Sequence, residues 1–367
     1  MAGPLLGINR KIAINTGTGY AYGVFGTADS AINVTSGPWN PPSIERQPDT
    51  DEYTGYEEDT SGGTSRILAV SDGGPLAGRA TPHVIAALAC AALGTWSTGT
   101  AGTLGTGAAA YRHRIRPIKG VVGTVGGMGT LPVLTVYETL SGTTDLQYAH
   151  RDCLVNSFSL TGARKSWLTY SAELLGSGVT RADTLAMATV IPESYLKAGD
   201  VAIFLGTSLA ATPSQSKTAP GDVTGTAYGT AIAITGKVVS FNWQVNNNLL
   251  ADDGYGMNSG TVRDHLDRGG RTQTLSMVME LYDSGQISLV SSQKTLALEF
   301  ECYNELIEAS AWYGINLGFP RLHVLSAEIS GGPREKMTIN MNFNVGEDTT
   351  KGSVLLDVYN NRSAYFG

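Results

Sequence analysis

Residues 337–345 alternate without a break. Met337, Ile339, Met341, Phe343 and Val345 are apolar, and Thr338, Asn340, Asn342 and Asn344 between them are polar. A period of two belongs to a strand, whose successive side chains point to opposite faces. Val238–Asn246 repeats the pattern, with Val239, Phe241, Trp243 and Val245 on one face and Ser240, Asn242, Gln244 and Asn246 on the other. Residues 275–282 and 296–302 continue it, and Leu154, Phe158 and Leu160 carry it in the first half. These segments predict a β-rich core built on Phe158, Leu160, Phe241, Trp243, Ile339, Met341 and Phe343. The polar face is made of Asn, Ser, Thr and Gln rather than Lys and Glu. Such a face suits a sheet that lines a cavity or meets another subunit, and it suits an ordinary half-wet sheet as well.

Composition bears on that choice. Only 16% of the 367 residues are charged, against roughly 25% in soluble domains. Either much of the surface meets protein, or it is a neutral surface rich in Ser, Thr and Gly. The 46 glycines favour tight turns between short strands. A net charge of -7 argues against a basic surface that grips nucleic acid. Cys90, Cys153 and Cys302 form neither a paired framework nor a metal-ligand spacing, which points to buried thiols in a reducing compartment. Residues 1–10 lack the pattern of a secretory signal. The longest apolar stretch, residues 84–93, is too short to span a bilayer, so no membrane insertion is expected.

The N-terminus reads as a strand over 8–15, a hairpin-like stretch to Phe25 and a Pro-rich loop over 37–42. Glu45, Asp49, Asp51, Glu52, Glu57, Glu58 and Asp59 then form an acidic run with no apolar period. It predicts an exposed arm or long loop, either a solvated linker or a docking segment. Arg112, Arg114 and Arg116 are candidate ionic partners for it between subunits. One helix is well signalled: Thr81 as cap, Pro82 in the first turn, Gly94 after the last, and Ile85, Leu88, Ala89, Ala92 and Leu93 on one stripe. Residues 98–110 read as a Gly/Thr-rich loop. Residues 164–178 align without gaps on 271–285, sharing Arg, Leu, Glu, Leu, Ser and Gly. That echo points to a duplicated unit, which would let a ring of three chains imitate six-fold symmetry.

No motif carries chemistry. The five histidines have no metal-binding spacing and no His-Glu-x-x-His. His150, Asp152 and Cys153 are near neighbours, but adjacent strand residues face apart. Gly123–Gly129 lacks the Lys-Ser/Thr of a phosphate loop and reads as a hinge or hairpin tip. Asp252-Asp253-Gly254 reads as a turn. Glu299 and Glu301 would project about 7 Å apart from one strand face, compatible with acid–base work and equally with a charged face or an ionic contact. No catalytic, cofactor-binding or metal-binding residue is assigned, and no cofactor is expected. Self-assembly without catalysis is the expectation; a β-sandwich carbohydrate-binding or adhesin module, using Trp39, Tyr53, Tyr56 or Trp312, is the alternative.

The segments Leu134-Thr-Val-Tyr-Glu138, Cys153-Leu-Val-Asn156-Ser-Phe-Ser159-Leu-Thr-Gly162 and Leu168-Thr-Tyr-Ser171-Ala-Glu-Leu-Leu-Gly176-Ser resemble the tail tube proteins of long-tailed, non-contractile bacteriophages. Asp152 stands where that family often has Gly. The resemblance implies a mainly β chain with minor α: two tandem β-sandwich or half-barrel domains, each with a flanking helix. The first would be 1–195, with the acidic arm (40–65) and the Gly/Thr-rich loop (98–110), and the second 196–367. Inner sheets would join into a ring-shaped β-barrel. Homotrimer rings would stack into a helical tube, the conduit for genome ejection. Implied partners are other copies of the chain, a tape-measure protein in the lumen, tail-tip or baseplate and tail-terminator proteins, and phage DNA passing without specific binding. The implied location is the virion tail, assembled in the host cytoplasm. A baseplate or terminator protein of related fold would fit the same residues.

Overall fold

The computed structural model of the chain describes residues 10–15, 32–33, 45–52, 65–94, 97–98, 100–101, 110–117, 131–140, 146–176, 178–182, 195–206, 208–209, 223–224, 232–233, 237–250, 269–281, 295–308, 311–332, 335–349 and 351–365. Strands β1 (Arg10–Asn15), β2 (Ile32–Asn33), β3 (Glu45–Glu52) and β4 (Ser65–Arg79) precede helix α1 (Pro82–Leu93). Short β5 (Ser97–Thr98) and β6 (Thr100–Ala101) lead to β7 (Tyr111–Ile115), β8 (Leu134–Leu140), the long β9 (Leu146–Ala163), β10 (Thr169–Gly176) and β11 (Gly178–Ala182). The second half holds β12 (Val201–Gly206), β13 (Ser208–Leu209), β14 (Val223–Thr224), β15 (Ile232–Ala233), β16 (Val238–Asn246) and β17 (Thr272–Glu280). It ends with β18 (Leu296–Glu308), the long β19 (Ala311–Ser330), β20 (Thr338–Val345), β21 (Leu355–Asn360) and β22 (Ala364–Tyr365).

Eighteen of these strands pair into one antiparallel sheet. It curls into two facing layers. One runs β4–β10–β9–β16–β17–β20–β19. The other runs β12–β18–β19–β21–β7. β19 serves both, pairing with β18 and β21 up to Leu322 and with β20 beyond it. Alternation fills the space between the layers: Trp243 meets Phe319 across it edge to face at 6.0 Å and Phe241 lies 4.5 Å from Phe300, while Phe158 packs on Trp243 at 5.8 Å and Phe300 on Phe319 at 6.1 Å within their own layers. Aromatic pairs of this kind add about 0.5–1.5 kcal/mol beyond the area they bury. Phe158, Leu160, Phe241, Trp243, Ile339, Met341 and Phe343 are all buried.

The helix follows its sequence signals. Val84 N–H donates to Thr81 Oγ1 at 3.4 Å, and Gly94 closes the last turn in the left-handed region (φ 80°), its N–H on Cys90 O. All twelve residues are buried, because α1 packs against β9, β16, β19, β21 and β7. Asn247 ties its C-terminus down by donating to both Ala92 O and Val155 O at 2.8 Å.

β9 changes partners midway. Residues 147–151 pair with β11, and 157–163 with β16. Between them Asp152 takes φ 51°, a conformation glycine adopts freely and Asp tolerates better than most residues.

The structure corrects the expected architecture. The chain is not two helix-flanked tandem domains whose inner sheets form a closed, ring-shaped barrel. No path of pairings returns to its starting strand, so the sheet is an open half-barrel. Among the described residues there is a single α-helix, and both halves pack on it. β9 pairs with β16 over seven residue pairs, so the halves share one sheet. In the second half the β18–β19 hairpin covers the apolar face of β16, with Phe300 on Phe241 and Phe319 on Trp243. Residues 45–52, expected in an arm or loop, form a strand paired with β4, and their sequence carries no apolar period.

The pairing pattern itself occurs twice. β1–β8, β8–β9, β9–β10, β9–β11, β10–β4 and β4–β3 in the first half match β12–β18, β18–β19, β19–β20, β19–β21, β20–β17 and β17–β16 in the second. β10 thus corresponds to β20. The echo of 164–178 in 271–285 sets β10 against β17, so it reflects the narrow composition of strands rather than equivalent positions.

Two outcomes are expected in denaturant unfolding. Trp243→Ala lowers stability by about 3–5 kcal/mol. Asp152→Val, which puts a β-branched residue at positive φ, lowers it by about 1–2 kcal/mol.

Candidate functional site

The outward face of the longer layer is where the polar halves of the alternating strands come together. Residues directly opposite in antiparallel strands share a face. One row therefore reads Ser171, Ser159, Gln244, Thr274, Asn344, His323 across six strands. The next reads Thr169, Thr161, Asn242, Ser276, Asn342, Ser326. Over these six strands neither row holds Asp, Glu, Lys or Arg; on β4, the seventh strand of the layer, the second row ends on Arg79 opposite Thr169. Six strands span about 24 Å, a wide surface to carry no such residue. Its side chains are stitched to one another: Thr161 donates to Asn242 Oδ1 at 2.8 Å, and Asn342 Nδ2 donates to Ser326 Oγ at 3.0 Å. Charge returns at the margin, where Glu280 pairs with Arg164, and with Lys336 at 3.4 Å. Hydroxyls and amides exchange hydrogen bonds with water or a passing chain at little net cost, and without the counterion-release grip of Lys and Arg on phosphate.

Glu45, Asp49, Asp51 and Glu52 lie in β3, while Glu57, Glu58 and Asp59 are outside the described residues, as are Trp39, Tyr53, Tyr56, Gly123–Gly129 and Asp252-Asp253. Arg112 and Arg114 lie in β7, with Arg116 just after it, alternating with buried His113 and Ile115. Arg114 is already engaged: its Nε and Nη2 donate to the two carboxylate oxygens of Asp357 at 2.9 and 2.8 Å. Glu299 and Glu301 do share a face, as their spacing predicts. Both are buried, with Asn316 Nδ2 donating to Glu299 at 2.5 Å.

Sequence reasoning missed a polar network at the C-terminus. His83 Nε2 donates to Asn361 Oδ1 at 3.0 Å, and Tyr365 Oη donates to His83 Nδ1 at 2.6 Å while accepting from Asn360 Nδ2 at 2.9 Å. His113 Nε2 adds a bond to Arg362 O at 2.7 Å. This fastens β22 to the start of the helix. No local motif encodes it, since its bonds from His83 and His113 span 249 to 282 residues. Burial, with the charges of Arg362 and His113 adding to it, lowers the His83 pKa to about 3 against the pull of Asn361. Among the described residues no group of three or more His, Cys, Asp or Glu is placed to hold a metal.

An open β-sandwich with a broad, uncharged polar face defines a protein that works through a surface. The phage tail tube protein family matches residues 18–345. The chain belongs to that family, and is a structural, self-assembling, non-catalytic tail-tube protein. The solved tail tube of SPP1 is 11% identical, with a TM-score of 0.26 over 44% of this chain and 77% of that one, too slight a likeness to bear on the fold. No curated protein matches the chain.

Two outcomes follow. Arg114→Met strands the buried Asp357 carboxylate and costs about 3–5 kcal/mol in denaturant unfolding. The neutral His83 network contributes fully above the unfolded histidine pKa of about 6.5 and is lost as pH falls from there toward 3. Hydrogen exchange at 360–365 should accelerate over that window, and a His83→Gln variant should lose the dependence.

Proposed function

We propose that the uncharged polar face lines the conduit of the tail tube, with a tape-measure protein against it during assembly and DNA passing it at ejection. The observation that carries this reading is the pair of uncharged rows across six strands. A conduit for a polyanion needs a wall that neither binds phosphate nor strands unsatisfied polar groups, and Ser, Thr, Asn and Gln meet both needs. We further propose that 1–195 and 196–367 are duplicated units, which the repeated pairing pattern supports. The counterparts β9 and β19 run in the same direction, four strands apart, as rotation about a tube axis requires. Three such chains would give a ring with pseudo-six-fold symmetry. Rings would stack into the virion tail after synthesis in the host cytoplasm, ending on tail-tip and terminator proteins.

The wall is tested by placing charge on it. Gln244→Lys with Asn342→Lys should leave tubes of normal appearance by electron microscopy and lower infectivity of complemented phage at least tenfold. Unchanged infectivity overturns the assignment of this face. Native mass spectrometry of a disassembled ring should give three chains.

A further inference from the structure

One end of the polar face is neither neutral nor smooth. Where β9 turns into β10, a pocket of about 760 Å³ opens, floored by Ala77, Thr161, Thr169 and Ser171 and rimmed by Arg79, Lys165 and Trp167. Behind the rim, Tyr195 stands edge-on to Trp167 at 5.9 Å. The Arg79 guanidinium lies 5.1 Å from the Trp167 ring centre and 5.5 Å from that of Tyr195, and Lys197 Nζ lies 5.5 Å over Trp167. The backbone beneath is fixed by three bonds: Ala80 N–H to Leu168 O, Leu196 N–H to Ala80 O and Leu168 N–H to Leu196 O, at 2.8–2.9 Å. Stacking orients Arg79 and Lys197 without neutralising them. Arg79, Lys165 and Lys197 have no carboxylate partner among the described residues. Two cations held on a rigid aromatic base, with Lys165 beside them on the pocket rim, form a receptor for carboxylates.

The chain carries a segment of matching chemistry at the far end of the same strand. β4 pairs with β10 over residues 72–79 and with β3 over 65–73. The β3 ladder therefore extends past the end of β10, away from the pocket. β3 is ERQPDTDE, four acids in eight residues. In the ladder register Glu45, the nearest acid, lies opposite Gly73, six strand residues or about 20 Å from Arg79, and Asp51 lies opposite Arg66, thirteen residues or about 43 Å from it. The acidic segment cannot reach the pocket of its own chain.

We infer that the pocket rimmed by Arg79, Lys165 and Trp167 binds the acidic β3 segment, residues 45–52, of a second copy of the chain. Donor and receptor at opposite ends of one strand make a heterologous contact, which closes into a ring or continues as an open stack according to the rotation between copies. Resting on the tube reading, this contact would be the one between successive rings. Charge complementarity within the chain favours this occupant over DNA phosphate, which the same cations could attract.

The test uses the full chain. Asp51→Cys with Lys197→Cys, oxidised after assembly, should give a ladder of disulfide-linked multimers on a non-reducing gel, because the native cysteines are buried and an intramolecular bond would have to span the strand. Arg79→Glu with Lys197→Glu should shorten tubes at least tenfold while rings persist. Adding Asp49→Lys, Asp51→Lys and Glu52→Lys should restore them. Tubes without a ladder, or no rescue by the reversed β3, overturn the inference while leaving the tube reading intact. Tubes of normal length with duplex binding lost in Arg79→Glu/Lys197→Glu also overturn it, assigning the pocket to nucleic acid. A wild-type chain that forms no tubes under any condition fails the tube reading itself.

Discussion

The ladder between β9 and β16 is the joint on which the molecule depends. Leu160 faces Trp243 across it, and Phe158 faces Val245. Through these pairs the apolar rows of the first half run straight into those of the second, so that Phe300 and Phe319 can cover both. The polar rows on the reverse side are continuous for the same reason. A one-residue slip in this register would exchange the faces, driving Ser159, Thr161 and Asn242 into the core and Trp243 into water. The surface assigned to function and the core that stabilises it are therefore set by one pairing.

Much of this was legible beforehand because period-two alternation encodes a strand and its two faces together. The residues 337–345 and 238–246 announced both the apolar core and the uncharged face, and Thr81, Pro82 and Gly94 announced the helix. What stayed hidden was long-range. Nothing local says that β9 pairs with β16, that Asn247 reaches Ala92, or that Arg114 is held by Asp357 across 243 residues. The echo of 164–178 sets β10 against β17 because strand segments draw on few residue types, while the pairing order sets β10 against β20 and leaves no gapless trace in the sequence. The basic pocket was also invisible: Arg79, Lys165 and Lys197 are dispersed, and only the crossing of 79–80, 167–168 and 195–197 brings them together.

The polar face and the pocket divide the surface by chemistry. A wall along which a polyanion moves works best without fixed cations, while a contact between copies gains specificity from them. Here Arg79 stands on β4 at the end of the second row, with Lys165 and Lys197 near it, and the six strands from β10 to β19 carry no Lys or Arg in either row. The low overall charge of the chain reflects this economy, as charge is placed where it discriminates between partners.

The single helix has a consequence for ancestry. It is buried on every side, packs on strands from both halves, and has its C-terminal carbonyl at Ala92 capped from residue 247. Neither half of the chain can be exchanged by recombination without the other, because a foreign second half would have to supply both an Asn at that spot and a matching seat for the helix. The gene should therefore drift as a block, with crossovers between related phages falling at its ends rather than at the internal boundary.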